Sequence, residues 1–245
     1  MNSRTRIAAL ATILASSTAA LASGSSHGNA SFAFGEWTVH TDAVDLNEKT
    51  GNFTVPSHIT LNRPTGDINA DRATGNFKQK HAILTGHVVL HDTQGGAFTN
   101  FGTGQSSGGP STLTTDQLDV NSISKIYTAT GNVHYIQGAR TIDAQRGSMD
   151  DNTKDLTLYQ VHFVQGSQTV DATQGVLNDK THILDLTGKV HVVDADRKMD
   201  ADHVVYNTVT GDMHARGSVS MSFPGGQEPQ SPAVAKKKKK KLIPF

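Results

Sequence analysis

Apolar and polar residues alternate with a period of two along most of this chain, and the alternation recurs in one motif. Leu84-Thr-Gly-His-Val-Val-Leu90, Ala129-Thr-Gly-Asn-Val-His-Tyr135, Leu186-Thr-Gly-Lys-Val-His-Val192 and Ala215-Arg-Gly-Ser-Val-Ser-Met221 are clear copies, and Pro56-Ser-His-Ile-Thr-Leu61 and Leu158-Tyr-Gln-Val-His-Phe163 are degenerate ones. Counting from the glycine slot, position +2 holds Ile59, Val88, Val133, Val161, Val190 and Val219, and position +4 holds Leu61, Leu90, Tyr135, Phe163, Val192 and Met221. The residues between them are polar at every place but Val89. Successive strand side chains face opposite sides, so each unit predicts a half-buried strand with one wet face. Continuous apolar runs of the kind found in parallel strands covered by helices are missing, and no window has helical periodicity.

The repeat sets the domain organisation. Ser57, Gly86, Gly131, Tyr159, Gly188 and Gly217 occupy the glycine slot at spacings of 29, 45, 28, 29 and 29, with Tyr159 read as replacing the glycine. An upstream landmark at Asp42, Asp71, Asp116, Gln145, Thr173 and Asp202 recurs at 29, 45, 29, 28 and 29. Two landmarks in step mark a true internal repeat. The long interval holds a Gly/Ser-rich stretch, so residues 93–112 are expected to be a flexible insertion. Segments such as Thr141-Ile-Asp-Ala144 and Thr169-Val-Asp-Ala172 predict a second strand per unit, followed by turns at Asn152-Thr-Lys154, Asn178-Asp-Lys180 and Thr210-Gly-Asp212. A unit with one apolar stripe cannot bury it alone, so about six units of 28–29 residues must stack into an elongated all-β body. Periodicity by itself leaves a parallel β-helix and an antiparallel arrangement both open.

The recurring order, hydrophobic-Thr-Gly-x-Val-x-hydrophobic and then Thr/Lys-hydrophobic-Asp-Ala before an Asn/Asp turn, as in Leu186 to Asn207, resembles the LptA/OstA-like family of lipopolysaccharide transport. The resemblance runs from about residue 38 to 223. It implies an open antiparallel β-jellyroll whose V-shaped interior carries acyl chains of lipopolysaccharide or a related glycolipid. It also implies a periplasmic bridge between inner and outer membrane, built with inner-membrane-anchored and outer-membrane jellyroll partners through edge-strand pairing. Head-to-tail homo-oligomers are a further expectation. No catalytic residue, cofactor or metal is implied, and the resemblance is to proteins that are not enzymes.

Composition sharpens this in three ways. Arg4 and Arg6 followed by the apolar run 7–22 and Ala20-Leu21-Ala22 read as a secretory signal peptide over 1–22, cleaved on export to the periplasm; an uncleaved anchor is the alternative. Residues 23–37 are then a linker and 38–223 the repeat domain. The zero net charge of the whole chain divides unevenly. Outside the leader and the run Lys236, Lys237, Lys238, Lys239, Lys240 and Lys241, the body holds 14 basic against 22 acidic residues. Such a body lacks the basic face that nucleic-acid binding requires. The tail, 224–245, reads as disordered, with lysines that either are simply solvated or contact phosphate and anionic lipid. With no cysteine, disulfides, thiolate chemistry and cysteine-ligated zinc are excluded.

The twelve residues at +2 and +4 are the candidate lining of a lipid groove, against the simpler reading that they are core. Other chemistry is weaker. Gly104-Gln-Ser-Ser-Gly108 matches a nucleophile-elbow pattern around Ser106, but without the strand and helix that such a serine needs. His134, His162 and His191 share one slot and suggest either a polar ladder or zinc. Asp194, Asp196, Asp200 and Asp202 are paired carboxylates of the type used in glycoside hydrolysis, which keeps a polysaccharide-acting solenoid enzyme as an alternative. A purely structural exported β-solenoid or adhesin module is the other.

Overall fold

The computed structural model describes residues 30–93 and 109–223, apart from 151, 179, 208, 209 and 211, and among these the regular structure is entirely β. The signal segment, Ser106 and the lysine run lie outside the described residues. The strands are β1 (Ala30–Phe34), β2 (Trp37–Thr41), β3 (Asp45–Leu46), β4 (Asn52–Val55), β5 (Ile59–Arg63), β6 (Gly66–Ala70) and β7 (Arg72–Asn76). Eight long strands follow: β8 (His81–Asp92), β9 (Ser111–Asn121), β10 (Ile126–Gln137), β11 (Arg140–Asp150), β12 (Asp155–Gln165), β13 (Gln168–Asn178), β14 (Ile183–Asp194) and β15 (Arg197–Asn207). Two short strands, β16 (Met213–Arg216) and β17 (Ser220–Ser222), close the series. Strand pairing begins inside the segment expected to be a linker.

All pairings are antiparallel and join into one open sheet, which removes the β-helix alternative. From β8 to β15 each strand pairs with the next; β8 and β9 are joined by the long 93–110 connection, and the later strands by turns of two or four residues, as antiparallel hairpins allow. The short strands are halves of the same design. The first half of β8 pairs with β7 and its second half with β6, and β15 pairs with β17 through its first half and β16 through its second. Upstream, β6, β5, β2 and β1 continue one side, while β7, β4 and β3 continue the other. The sheet is therefore creased along its length into two arms. The first arm includes residues 88–92, 133–137 and 190–194; the second includes 81–85, 126–130 and 183–187.

The crease is where the two sequence landmarks meet. Gly86, Gly131 and Gly188 have φ of 77°, 81° and 76°, and His87, Asn132 and Lys189 after them are also left-handed. The register slips by one residue there, which is a β-bulge that bends the strand. The first bulge residue must be glycine for a second reason. A Cβ on Gly131 would run into the Asp116 carboxylate of the neighbouring strand, and one on Gly188 would meet Thr173. Those neighbours hold the bulge in place: Asp71 N–H donates to Gly86 O at 2.9 Å, and the Thr173 hydroxyl donates to Gly188 O at 2.8 Å.

Repeat four corrects the reading of Tyr159 as a glycine substitute. Tyr159 pairs with Arg146, just as Thr130 does from the other side, and β12 crosses the crease with no slip against β11 or β13. The glycine is deleted rather than replaced, which accounts for the spacings of 28.

Gly131→Ala and Gly138→Ala separate the two demands on glycine. Gly138 has φ of 57° with open space around it, so its replacement should cost about 1–2 kcal/mol of backbone strain. Gly131→Ala must in addition displace Asp116 from the Asn132 side-chain amide, which donates to it at 2.9 Å, adding about 1 kcal/mol. Urea unfolding of both variants measures the difference.

Candidate functional site: the groove between the arms

The inner face of the first arm is one continuous row of cross-strand neighbours. It runs Val39, Leu61, Ile68, Leu90, Leu113, Tyr135, Ile142, Phe163, Val170, Val192, Met199 and Met221. The second arm answers with Val120, Tyr127, Met149, Leu156, Leu177, Leu184, Tyr206 and Met213. Each such pair excludes water from the other, and the two rows share one apolar core.

That core changes character along its length. At the N-terminal end, Phe32 and Phe34 of the first arm both meet Phe53 of the second in edge-to-face contact, with ring centroids 6.1 Å apart, the geometry that aromatic quadrupoles favour. Behind them the Arg63 guanidinium lies 4.4 Å from the Trp37 ring centre and pairs with the buried Asp92 carboxylate at 2.6 Å and with Glu36 at 2.8 Å. The arms are sealed there. Ile142, near the middle, is still only 2% exposed. Phe163 reaches 8%, and at the final strands Met213 and Met221 reach 40% and 51%.

A narrow apolar groove, partly open to solvent, lies over this C-terminal half. Phe163, Val170 and Val192 form its first-arm wall, and Leu184, Leu186, Val204, Tyr206 and Met213 form the other. Gln165 and Gln168 are, with the Tyr206 hydroxyl, the polar side-chain groups among its lining residues. Nothing in it is a nucleophile or an acid–base pair, so the groove is suited to holding apolar matter.

The twelve sequence candidates are therefore spread along two environments. Ile59, Leu61, Val88, Val133 and Tyr135 are buried in the sealed half, and Leu90 is partly buried beside them. Val161, Phe163 and Val192 line the groove, Val190 is buried next to them, and Val219 and Met221 are exposed at the open end. The second-arm wall escaped sequence reading, although the alternation in Ile183–Leu186 and in His203–Tyr206 carried its signal.

The outer face of the first arm has a different ladder. His134, Asp143, His162, Asp171, His191 and Asp200 are successive cross-strand neighbours. His134, His162 and His191 each donate through Nδ1 to the aspartate nine residues on, at 2.6 Å. The histidines alternate with carboxylates instead of converging, and among the described residues no three His, Asp or Glu side chains are arranged to hold a metal ion. Exposed pairs of this kind contribute little each. The four clustered aspartates are likewise dispersed. Asp194 pairs with Arg197, Asp200 with His191, and Asp202 accepts the Ser218 N–H at the crease, while Asp196 sits in the β14–β15 turn.

Two titrations report on the two faces. His87, at the crease, is raised above its ordinary value by its hydrogen bond to Asp71 and by that carboxylate's charge. Burial pushes the Tyr135 phenol up to about 12. A raised value favours the protonated form in the folded state, so Tyr135 stabilises fully below pH 10 and loses that contribution as pH climbs to about 12. Tyr135→Phe should flatten this alkaline loss in urea melts taken across that range. By the same sign rule, His87 favours folding below its ordinary value and ceases to as pH rises through its folded one. Proton NMR titration should place its midpoint above 6.5, and Asp71→Asn should bring it back.

Residues 112–212, which span β9 to the end of the β15–β16 connection, match the model of the family described as LptA/(LptD N-terminal domain) LPS transport protein. No curated protein matches the chain. Among solved structures, one similar chain is LptH of Pseudomonas aeruginosa, described as the LptA-homologous periplasmic component of the lipopolysaccharide transport device. It shares 13% identity over 46% of this chain and 94% of that one, with a TM-score of 0.43.

Proposed function

On the premise that this creased sheet is an LptA/OstA-like domain, we propose that the protein is a periplasmic lipopolysaccharide-transport module that carries the acyl chains of a glycolipid between its arms. The observation that supports the reading most is the graded opening of an otherwise dry apolar interior. An acyl chain gains about 0.8 kcal/mol for each CH₂ that leaves water, and a fully closed pocket would hold several chains too tightly to release them. A groove open along one end retains the lipid and still lets it go. The glutamines at the lip are suited to the polar headgroup that the apolar walls reject.

The same open end supplies the partner surface. Among the described residues β16 and β17 have register pairing only with β15, beside exposed Met213, Val219, Met221 and Phe223, and an edge of this kind accepts a strand from another chain. In our reading it pairs head to tail with β1 of the next jellyroll, in a homo-oligomer or with the membrane-bound partners of the bridge. The lysines at 236–241, C-terminal to this end in sequence, would meet lipid phosphate or an anionic leaflet, each contributing about 1 kcal/mol near such a surface.

Photocrosslinkers placed at Phe163 and Met199 should capture lipopolysaccharide, whereas one at Lys189, on the outer crease, should not; equal capture from both faces would refute an interior site. The absence of native cysteine makes the second test clean. Ser31→Cys combined with Ser222→Cys should give a ladder of disulfide-linked oligomers on mild oxidation, and either single variant, whose thiol faces a serine across the junction, should stay uncrosslinked. No ladder would refute head-to-tail pairing of first-arm edges.

A further inference from the structure

We infer that the groove recognises the linkage of its lipid as well as the hydrocarbon, through a row of polar side chains on the inner face of the first arm. The inference rests on the carrier reading above and adds to it a class of neutral, hydrogen-bonding group: the ester or amide carbonyl, with nearby hydroxyls, that joins an acyl chain to its sugar.

Two residues nearer the turns than the apolar row, and so on the same inner face about 7 Å away, runs a second row of cross-strand neighbours. In the sealed half it holds Asp92, Ser111, Gln137 and Arg140, each paired with the next. It continues over the groove as Gln165, Gln168, Asp194 and Arg197. Polar residues are ordinary where strand ends meet water, but the first four are only 2% to 8% exposed. Burying hydrogen-bonding groups is unfavourable unless they find partners. There Arg63 donates to Asp92 at 2.6 Å and the Gln137 amide donates to Gly109 O at 3.5 Å. Apolar residues at these places would face the same interior without needing such partners. The polar character of the row is thus kept independently of exposure, from β8 to β15.

Over the groove, Asp194 and Arg197 pair with each other at 2.6 Å, so their charges cancel. Gln165 and Gln168 line the groove and stand opposite one another across a two-residue turn. Each amide offers an acceptor oxygen and an NH₂ donor, a set that fits carbonyls and hydroxyls and lacks the net positive charge a phosphate requires. Gln165 shares β12 with Phe163, and Gln168 shares β13 with Val170, two residues apart in each case. An acyl chain held against that wall therefore has both amides beside it.

Two amphiphiles of equal chain length test this: N-dodecanoylglucosamine, whose chain ends in an amide, and dodecyl β-glucoside, whose glycosidic link has no carbonyl. Each is titrated into the full chain below its micelle concentration. The amide-linked probe should bind about ten-fold more tightly, the worth of one or two hydrogen bonds. Gln165→Leu combined with Gln168→Leu should erase the preference by weakening the amide-linked probe alone, whereas Thr169→Val, on the outer face beside them, should preserve it. Thermal melts confirm that the variants are folded, and the single glutamine variants, each expected to lose part of the preference, serve if the double one is not. Equal binding of the two probes to the unaltered chain, a preference that survives in the folded glutamine variants, or equal weakening of both probes overturns recognition of the linkage. So does tighter binding of dodecyl phosphate than of the amide-linked probe, or binding of lipopolysaccharide without binding of any of these amphiphiles. The carrier reading survives each of those results provided that lipopolysaccharide binds. If neither lipopolysaccharide nor any amphiphile binds, the carrier reading itself fails.

Discussion

The structure depends on a single constraint: every long strand must face the interior with both of its halves, although a straight strand can line only one flat wall. The solution is to break the alternation once per strand at a common line. Thr115 and Leu118, Ala144 and Gly147, Ala172 and Gly175, and Ala201 and Val204 are successive buried residues three apart instead of two. The glycine-bearing strands β8, β10 and β14 break it by four, with the bulge residue added. Two outward residues in a row allow the chain to bend without turning its apolar side to water, and the bulge supplies the angle. Strand by strand the breaks align, and the sheet creases into a V.

Once creased, the sheet has its apolar residues inside and its charge outside by construction. The inner rows gain their stability from water exclusion, roughly 25 cal/mol for each Å² of apolar surface removed. Where bulky aromatics bridge the arms, nothing further fits. Where Phe163, Val170 and Val192 stand opposite Leu184, Val204 and Tyr206, with no ring-to-ring contact like that of the Phe32–Phe34–Phe53 cluster, a groove persists. The outer His–Asp ladder shares the same register. A histidine in β10, β12 or β14 and an aspartate nine residues later fall opposite one another because each of these three strands returns through a two-residue turn.

Much of this was legible in residue order. The period of two identified strands, and the landmarks Gly131 and Asp116 marked the repeat; that they meet at a crease emerged only in the fold. Asp143 and Asp171, in Ile-Asp-Ala and Val-Asp-Ala, face solvent, as the alternation within those predicted strands requires. Less visible was the second-arm wall of the groove. Leu184 and Val204 look like any core residue until their partners across the V are known, since burial is a property of what packs against a side chain.

By itself, then, the sequence determined a strand repeat compatible with antiparallel pairing, with one apolar and one polar face, because these follow from side-chain alternation, and an acidic body, because that follows from composition. Only the tertiary structure decided where that interior is filled and where it is open. Leu61 and Val192 occupy the same repeat position with the same chemistry, yet one is locked behind the Phe32–Phe34–Phe53 brace and the other lines a groove. The difference lies in the distance between two arms, which is set by the sum of side chains meeting across the V and by no residue alone.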